Sequence, residues 1–180
     1  MARAWAPMTG TVRKAVHRLK YRRDLALAET LAGELLSLVQ ALGWQVDAVV
    51  PVPLGQARYR ARGYNQAALL AFPLALGLGV PYAGKALARV RETRSQVNLS
   101  VEARRRNVAG AFGVVQAQAV RGKVVLLVDD VMTTGATLDA AATALKAVGA
   151  RQVFAVTVAR AVLRSQKALA APHAALRLLR

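Results

Sequence analysis

The chain has 180 residues, enough for one domain with a substantial core, and its hydrophobic content of 55% excludes a mainly disordered protein. Its 26 lysines and arginines against 9 acidic residues give a formal net charge of +17. Such an excess favours polyanionic partners such as nucleotides, pyrophosphate or nucleic acid, although a solvated basic surface accounts for many single arginines equally well.

The composition also excludes several kinds of site. Because the chain has no cysteine, disulfides, thiolate catalysis and cysteine-ligated zinc are excluded. No apolar run approaches the ~20 residues that a bilayer requires, so no membrane insertion is expected. The first ten residues contain no uninterrupted apolar stretch of the kind found in secretory signals. A cytoplasmic location is therefore expected.

The first half of the chain alternates helix, strand and helix. Leucines at three- and four-residue steps predict one N-terminal helical segment over residues 11–42, ending at Gly43. The β-branched run 46–50 predicts a short strand, since prolines follow it at once. An arginine-rich loop over residues 54–63 then precedes a helix over about residues 65–76.

The second half predicts the main part of a sheet. Residues 89–107 are polar and densely basic, which indicates a long loop or mobile flap. Residues 124–128 are continuously apolar, as in a parallel strand covered on both faces. A helix over about residues 136–148 and a strand over residues 153–158 follow. This alternation predicts a single α/β domain over residues 1–180, with a mainly parallel sheet flanked by helices.

The segment after the apolar strand is the most informative. It contains two acids, a turn with hydroxyl groups and glycine, and a helix start. Ligands of open α/β sheets bind beyond the carboxyl ends of strands, and a helix N-terminus offers N–H groups to a phosphate. Two carboxylates are suitable acceptors for the protons of a vicinal diol. We therefore predict a ribose-phosphate site formed by Asp129, Asp130, Thr133, Thr134, Gly135, Ala136 and Thr137.

Other interpretations of glycine and phosphate motifs are weaker. An ordinary strand–turn–helix with an Asp cap requires one polar residue at the helix start, whereas six polar or glycine positions cluster here. Gly122-Lys123 is followed by valine and lacks the upstream glycine of a P-loop. Gly77 and Gly79 lack the third glycine of the dinucleotide fingerprint and do not follow a strand.

Residues 125–137 resemble the phosphoribosyl pyrophosphate motif of type I phosphoribosyltransferases. The resemblance implies that Asp129 and Asp130 hold the ribose hydroxyls, and that the turn from Thr133 to Thr137 holds the 5-phosphate. It also implies a type I phosphoribosyltransferase-like fold with phosphoribosyl pyrophosphate or ribose 5-phosphate as ligand. Mg²⁺ would be held by substrate oxygens and water, with no dedicated metal site in the protein.

A wider resemblance covers about residues 16–160. Pro51-Val-Pro-Leu54, Arg62-Gly-Tyr-Asn-Gln-Ala67, Arg89-Val-Arg91 and the lysine-containing stretch Leu19-Lys-Tyr21 are similar to the ComF family, phosphoribosyltransferase-like proteins associated with bacterial DNA uptake. Many ComF proteins begin with a four-cysteine zinc module, for which this chain has no cysteine. A role that depends on that module is therefore left open.

Two basic segments extend the predicted site. Residues 54–63 are placed to be the pyrophosphate loop, whose predicted residues are Leu54, Arg58, Arg60, Arg62 and Asn65. Residues 93–107 resemble the flexible loop that folds over the substrate and excludes water. Its predicted residues are Thr93, Gln96, Arg104 and Asn107. For these arginines, solvent-exposed charge or contact with nucleic acid is the alternative.

Two functions remain open from the sequence. The first is a phosphoribosyltransferase with an unknown acceptor and with Arg62, Arg94 and Arg104 as candidate catalytic residues. Some purine phosphoribosyltransferases have a carboxylate where this chain has Thr133, which cannot take a proton at neutral pH, so no general base is identified. The second is a non-catalytic protein of the same fold that binds single-stranded DNA. A nucleotide-sensing regulator ranks below both, and a homodimer is the expected oligomer.

Overall fold

The computed structural model describes residues 1–91 and 101–161, without the side chains of Val101, Glu102, Arg104 and Arg105. Strands and helices alternate along most of this range. In chain order the elements are β1 (Ala2–Pro7), α1 (Gly10–Tyr21), α2 (Leu25–Ala41), β2 (Ala48–Pro51), α3 (Gln56–Arg62), α4 (Gln66–Leu78), β3 (Leu87–Arg89), α5 (Val101–Val108), β4 (Phe112–Val114), β5 (Val124–Met132), α6 (Ala136–Ala147) and β6 (Gln152–Arg160).

The central sheet has four strands in the order β1-β6-β5-β2, and every neighbouring pair is parallel. The strands β3 and β4 form a separate antiparallel pair. The sheet separates two groups of buried side chains. Leu126 and Val128 of β5 pack with residues of α1, α2 and α4, whereas Val125 and Leu127 pack with residues of α6. Because successive side chains of a strand point to opposite faces, a strand covered on both faces is apolar throughout. The predicted α/β fold with a parallel sheet is confirmed.

Two features of the N-terminal region were not predicted. A strand, β1, precedes the helices and pairs with β6 at the edge of the sheet. The helix itself is divided into α1 and α2 by a break at Arg23, whose backbone has a φ of 46°. Asp24 then begins α2, because its Oδ1 accepts a hydrogen bond from the Leu27 N–H at 3.1 Å.

Both predicted loops contain regular structure. Most of the arginine-rich segment at residues 54–63 is the helix α3, which ends at Gly63 in a left-handed conformation with a φ of 78°. The basic segment at residues 89–107 includes the end of β3 and most of α5, and its residues 92–100 lie outside the described ranges. The strand β5 is also longer than predicted. It extends to Met132, because β6 continues beside it as far as Arg160, and so it includes both acids.

None of the helices in the described part of the chain is long and apolar enough to cross a membrane.

Candidate functional site

A cavity of about 630 Å³ lies at the carboxyl end of β5. Two of the predicted segments meet there. The turn between β5 and α6 contributes Asp129, Asp130, Thr133, Gly135 and Thr137. The segment between β2 and α4 contributes Leu54, Arg58 and Arg62. Residues that are about 70 positions apart in the sequence thus line one cavity.

Among the predicted residues of the turn and of the segment after β2, four do not line this cavity: Thr134, Ala136, Arg60 and Asn65. Thr134 lies inside the turn, where its Oγ1 is 3.5 Å from the Ala136 N–H nitrogen. Arg60 is exposed on α3. The Asn65 side chain begins α4 by accepting from the Ala67 N–H at 3.1 Å, and it donates to the Val52 carbonyl at 3.0 Å. Its contacts position the chain between β2 and α4.

The predicted flexible loop is described only in part. Asn107 lies in α5, and its backbone carbonyl accepts a hydrogen bond from Arg91 Nη2 at 3.0 Å. The side chain of Arg104 is not described. The remaining candidates lie outside the described residues: Thr93, Arg94 and Gln96.

The turn before α6 has the geometry of an anion site. Gly135 has a φ of 84°, a conformation that glycine adopts without the strain imposed by a side chain. The chain enters α6 directly afterwards, and the Asp139 N–H donates to the Gly135 carbonyl at 2.9 Å. The positive end of a 12-residue helix therefore lies at the cavity, together with the Thr133 and Thr137 hydroxyl groups.

The two acids occupy different surroundings. Asp130 points to the sheet face that packs against α1, and only 4% of its surface is exposed. Its Oδ2 is 2.8 Å from Lys20 Nζ. The Asp130 N–H donates to Asp129 Oδ1 at 2.8 Å. Burial, and next the nearby Asp130 charge, raise the pKa of Asp129 well above the usual range for a carboxyl group. Asp129 therefore keeps its proton to a higher pH than an exposed aspartate does.

Basic side chains outnumber the acids of the cavity. Lys20 and Arg89 line it in addition to Arg58 and Arg62, which gives four cations against two carboxylates. Arg62 lies against Tyr21, with its guanidinium 5.4 Å from the ring centroid, and Arg62 Nη1 donates to Gln66 Oε1. A cavity of this charge suits a ligand with several phosphate oxygens.

Sequence reasoning assigned no site role to Lys20, Tyr21, Gln66 or Arg89, which also line the cavity. Lys20 and Arg89 fall in stretches that resemble ComF proteins, and this is the signal that could have found them. One of these lining residues, Tyr21, lies beside an arginine. This side chain is 65% exposed and packs between Arg62 and His17, whose ring centroid is 4.6 Å away.

A model of the phosphoribosyl transferase domain matches residues 25–173. The chain belongs to this family. It is 41% identical over 128 residues to the DNA utilization protein YhgH of Salmonella typhimurium, a match that covers 68% of this chain and 56% of that protein. It is 39% identical over 152 residues to competence protein F of Haemophilus influenzae, covering 81% of this chain and 66% of that protein. The resemblance to the ComF family and the type I phosphoribosyltransferase-like fold are confirmed.

The chain spans little more than half the length of the YhgH proteins that it matches. Among solved structures, the glutamine phosphoribosylpyrophosphate amidotransferase of B. subtilis is similar with a TM-score of 0.48 and 25% identity, over 72% of this chain and 26% of that one. The adenine phosphoribosyltransferase of Thermoanaerobacter pseudethanolicus is similar with a TM-score of 0.47 and 16% identity, over 77% of this chain and 82% of that one.

Proposed function

We propose that the chain binds phosphoribosyl pyrophosphate at the carboxyl end of β5 and transfers the phosphoribosyl group to an acceptor, releasing pyrophosphate. One observation supports this most strongly. A single cavity joins an acid pair, a glycine turn at a helix N-terminus, and arginines from the segment after β2. Its volume of about 630 Å³ falls within the ~300–1,000 Å³ typical of small-molecule sites.

Each part of the cavity suits one part of this ligand. The carboxylates of Asp129 and Asp130 are acceptors for the ribose hydroxyl groups. Thr133, Gly135 and Thr137, at the N-terminus of α6, suit the 5-phosphate, because N–H groups, hydroxyl groups and the helix dipole all favour an anion there. These roles are the ones that the family resemblance implies, and they remain predictions for this chain.

The pyrophosphate is assigned to Arg58 and Arg62. In the transfer, a bond forms from the acceptor nitrogen to C1 of the ribose, while the bond from C1 to the pyrophosphate oxygen breaks and its electron pair leaves with pyrophosphate. The nitrogen then loses its proton to water. The transition state resembles an oxocarbenium ion. Because the leaving group is highly anionic, fixed positive charge near the pyrophosphate stabilises its departure. Of the three candidate catalytic arginines, Arg62 is the one whose side chain the structure describes, and its contacts to Tyr21 and Gln66 hold it in place for this role.

The donor set is compatible with a substrate-held Mg²⁺. The described residues contain no group of three or more histidine, aspartate or glutamate side chains that could hold a metal ion. Mg²⁺ in nucleotide enzymes is bound mainly through substrate phosphates and water, so it needs no such group. When bound, it would add positive charge to the pyrophosphate oxygens. The cytoplasmic location, the homodimer and the closure of a flexible loop over residues 93–107 stay predictions.

A pyrophosphate-release assay tests the transfer. The protein is incubated with phosphoribosyl pyrophosphate, Mg²⁺ and a panel of nitrogen acceptors, and the released pyrophosphate is measured. Arg62→Gln should lower the rate at least tenfold. The matched control is Arg60→Gln, two residues away on the same helix but outside the cavity, and it should stay within twofold. If the wild-type protein neither releases pyrophosphate nor binds the ligand in calorimetry, the proposal is rejected.

Binding of single-stranded DNA is the second candidate. Its support is the net charge of +17, the exposed Tyr21 ring beside Arg62, and the names of similar proteins, which refer to DNA utilization and competence. An aromatic face next to an arginine is a common element of single-strand sites. Binding of single-stranded DNA, without release of pyrophosphate from phosphoribosyl pyrophosphate, would favour this candidate over the transferase.

A further inference from the structure

Asp130 is a carboxylate that the fold removes almost entirely from water. With 4% of its surface exposed, its charge requires compensation, because a buried ion without a partner is strongly destabilising. Lys20 Nζ, 2.8 Å from Oδ2, is the compensating charge. Apart from this ion pair, Oδ2 has no hydrogen-bond donor within the described residues.

Lys20 reaches Asp130 from a well-anchored part of α1. The preceding residue, Leu19, is fully buried, and its carbonyl accepts a hydrogen bond from the Tyr64 hydroxyl at 2.9 Å. The same hydroxyl accepts from the Arg23 N–H at 3.0 Å. The last turn of α1 and the residues after it are therefore fixed on both sides of Lys20, and its side chain, 25% exposed, lines the cavity.

We propose that Lys20 is a positioning residue of the phosphoribosyl site, which holds the Asp130 carboxylate in one orientation for the ribose hydroxyl groups. This rests on the proposed function. It makes the N-terminal helix α1 part of ligand binding, although α1 is more than 100 residues from the motif in the sequence. The pairing has a simple physical basis: a carboxylate that must accept hydroxyl protons cannot be buried in this position without a cation beside it.

Calorimetric titration with ribose 5-phosphate, which cannot be turned over, tests the role. Lys20→Met should weaken binding at least tenfold, and Lys20→Arg, which keeps the charge, should stay within about threefold. Lys14→Met is the matched control, since Lys14 is an exposed lysine of the same helix, and it should bind like the wild type.

A double-mutant cycle separates positioning from direct contact. Asp130→Asn and the double variant Lys20→Met with Asp130→Asn should bind with equal affinity, because Lys20 acts only through Asp130. The double variant also removes the charge that Lys20→Met would leave buried and unpaired. If Lys20→Met alone does not fold, the double variant can therefore still be compared with Asp130→Asn. Further loss in the Asp130→Asn background would show that Lys20 contacts the ligand itself, and would overturn the positioning role.

The outcomes also distinguish this inference from the proposed function. If the wild type binds and Lys20→Met binds equally well, even with a lowered melting temperature, Lys20 has only a structural role and the inference alone is wrong. If the wild type binds no ribose 5-phosphate, the phosphoribosyl site is rejected and the inference falls with it.

Discussion

Removing the Tyr64 hydroxyl with Tyr64→Phe is expected to destabilise the protein through the junction between α1 and α2. This hydroxyl donates to the Leu19 carbonyl at 2.9 Å and accepts from the Arg23 N–H at 3.0 Å. Tyr64 itself is 8% exposed and Leu19 is fully buried, so water cannot easily replace the lost partner. The hydroxyl also stabilises the φ of 46° at Arg23, which a non-glycine residue adopts only at a cost.

The magnitude follows from these two bonds. A hydrogen bond contributes about 0.5–1.5 kcal/mol net, and a buried polar group left without a partner costs about 1–3 kcal/mol. The Leu19 carbonyl is the buried group and the Arg23 N–H is partly accessible, so we expect a loss of about 2–3 kcal/mol in the free energy of unfolding. For a chain of this size, that corresponds to a fall in melting temperature of about 4–12 °C.

Urea denaturation measures this loss directly, and the m-value should not change, because the surface exposed on unfolding is the same. Tyr59→Phe is the control, since Tyr59 is 52% exposed on the neighbouring helix α3, and its effect should stay within about 0.5 kcal/mol. If Tyr64→Phe costs no more than this control, the hydroxyl does not hold the junction. The affinity for ribose 5-phosphate should fall as well, since the same junction positions Lys20.

Two further predictions concern charge. Asp129→Asn should stabilise the protein at neutral pH. The pKa of Asp129 is raised in the folded protein, so ionisation of this carboxyl group favours the unfolded chain, and asparagine removes that cost. The gain should disappear below about pH 4, where the carboxyl is protonated in both states, and a gain persisting at pH 3 in melting curves would contradict the reasoning. Single-stranded DNA should bind weakly, at about micromolar affinity or worse at physiological salt, with a steep salt dependence. Neutralising the arginines at 104–106 should flatten that dependence in filter binding without affecting ribose 5-phosphate, and no DNA binding at low salt would reject the nucleic-acid role.

The parts of the fold that local sequence determines were predictable. The run at residues 124–128 is apolar throughout because both of its faces are covered, and the structure confirms this strand in the middle of the sheet. The turn from Thr133 to Gly135 was also visible, since hydroxyl and glycine residues between a strand and a helix have few other uses.

The parts that depend on distant contacts were not predictable. The strand β1 has no strong strand pattern of its own, and it forms because β6, some 150 residues later, offers an unpaired parallel edge. The break between α1 and α2 depends in the same way on Tyr64, which lies 41 residues after Arg23. The ion pair between Lys20 and Asp130 joins residues 110 positions apart, and neither residue alone indicates the other.

The arginines at 58, 60 and 62 show how one local error affects a site prediction. With the segment taken as a loop, all three were assigned to the pyrophosphate, and only Arg62 was also named as a candidate catalytic residue. As the helix α3, it places Arg58 and Arg62, four residues apart, on the same face, whereas Arg60 points elsewhere. Only the first two line the cavity. The helical period therefore identifies which arginines face the cavity, and the charge pattern of the sequence does not. The same period makes Arg60 a suitable control for Arg62.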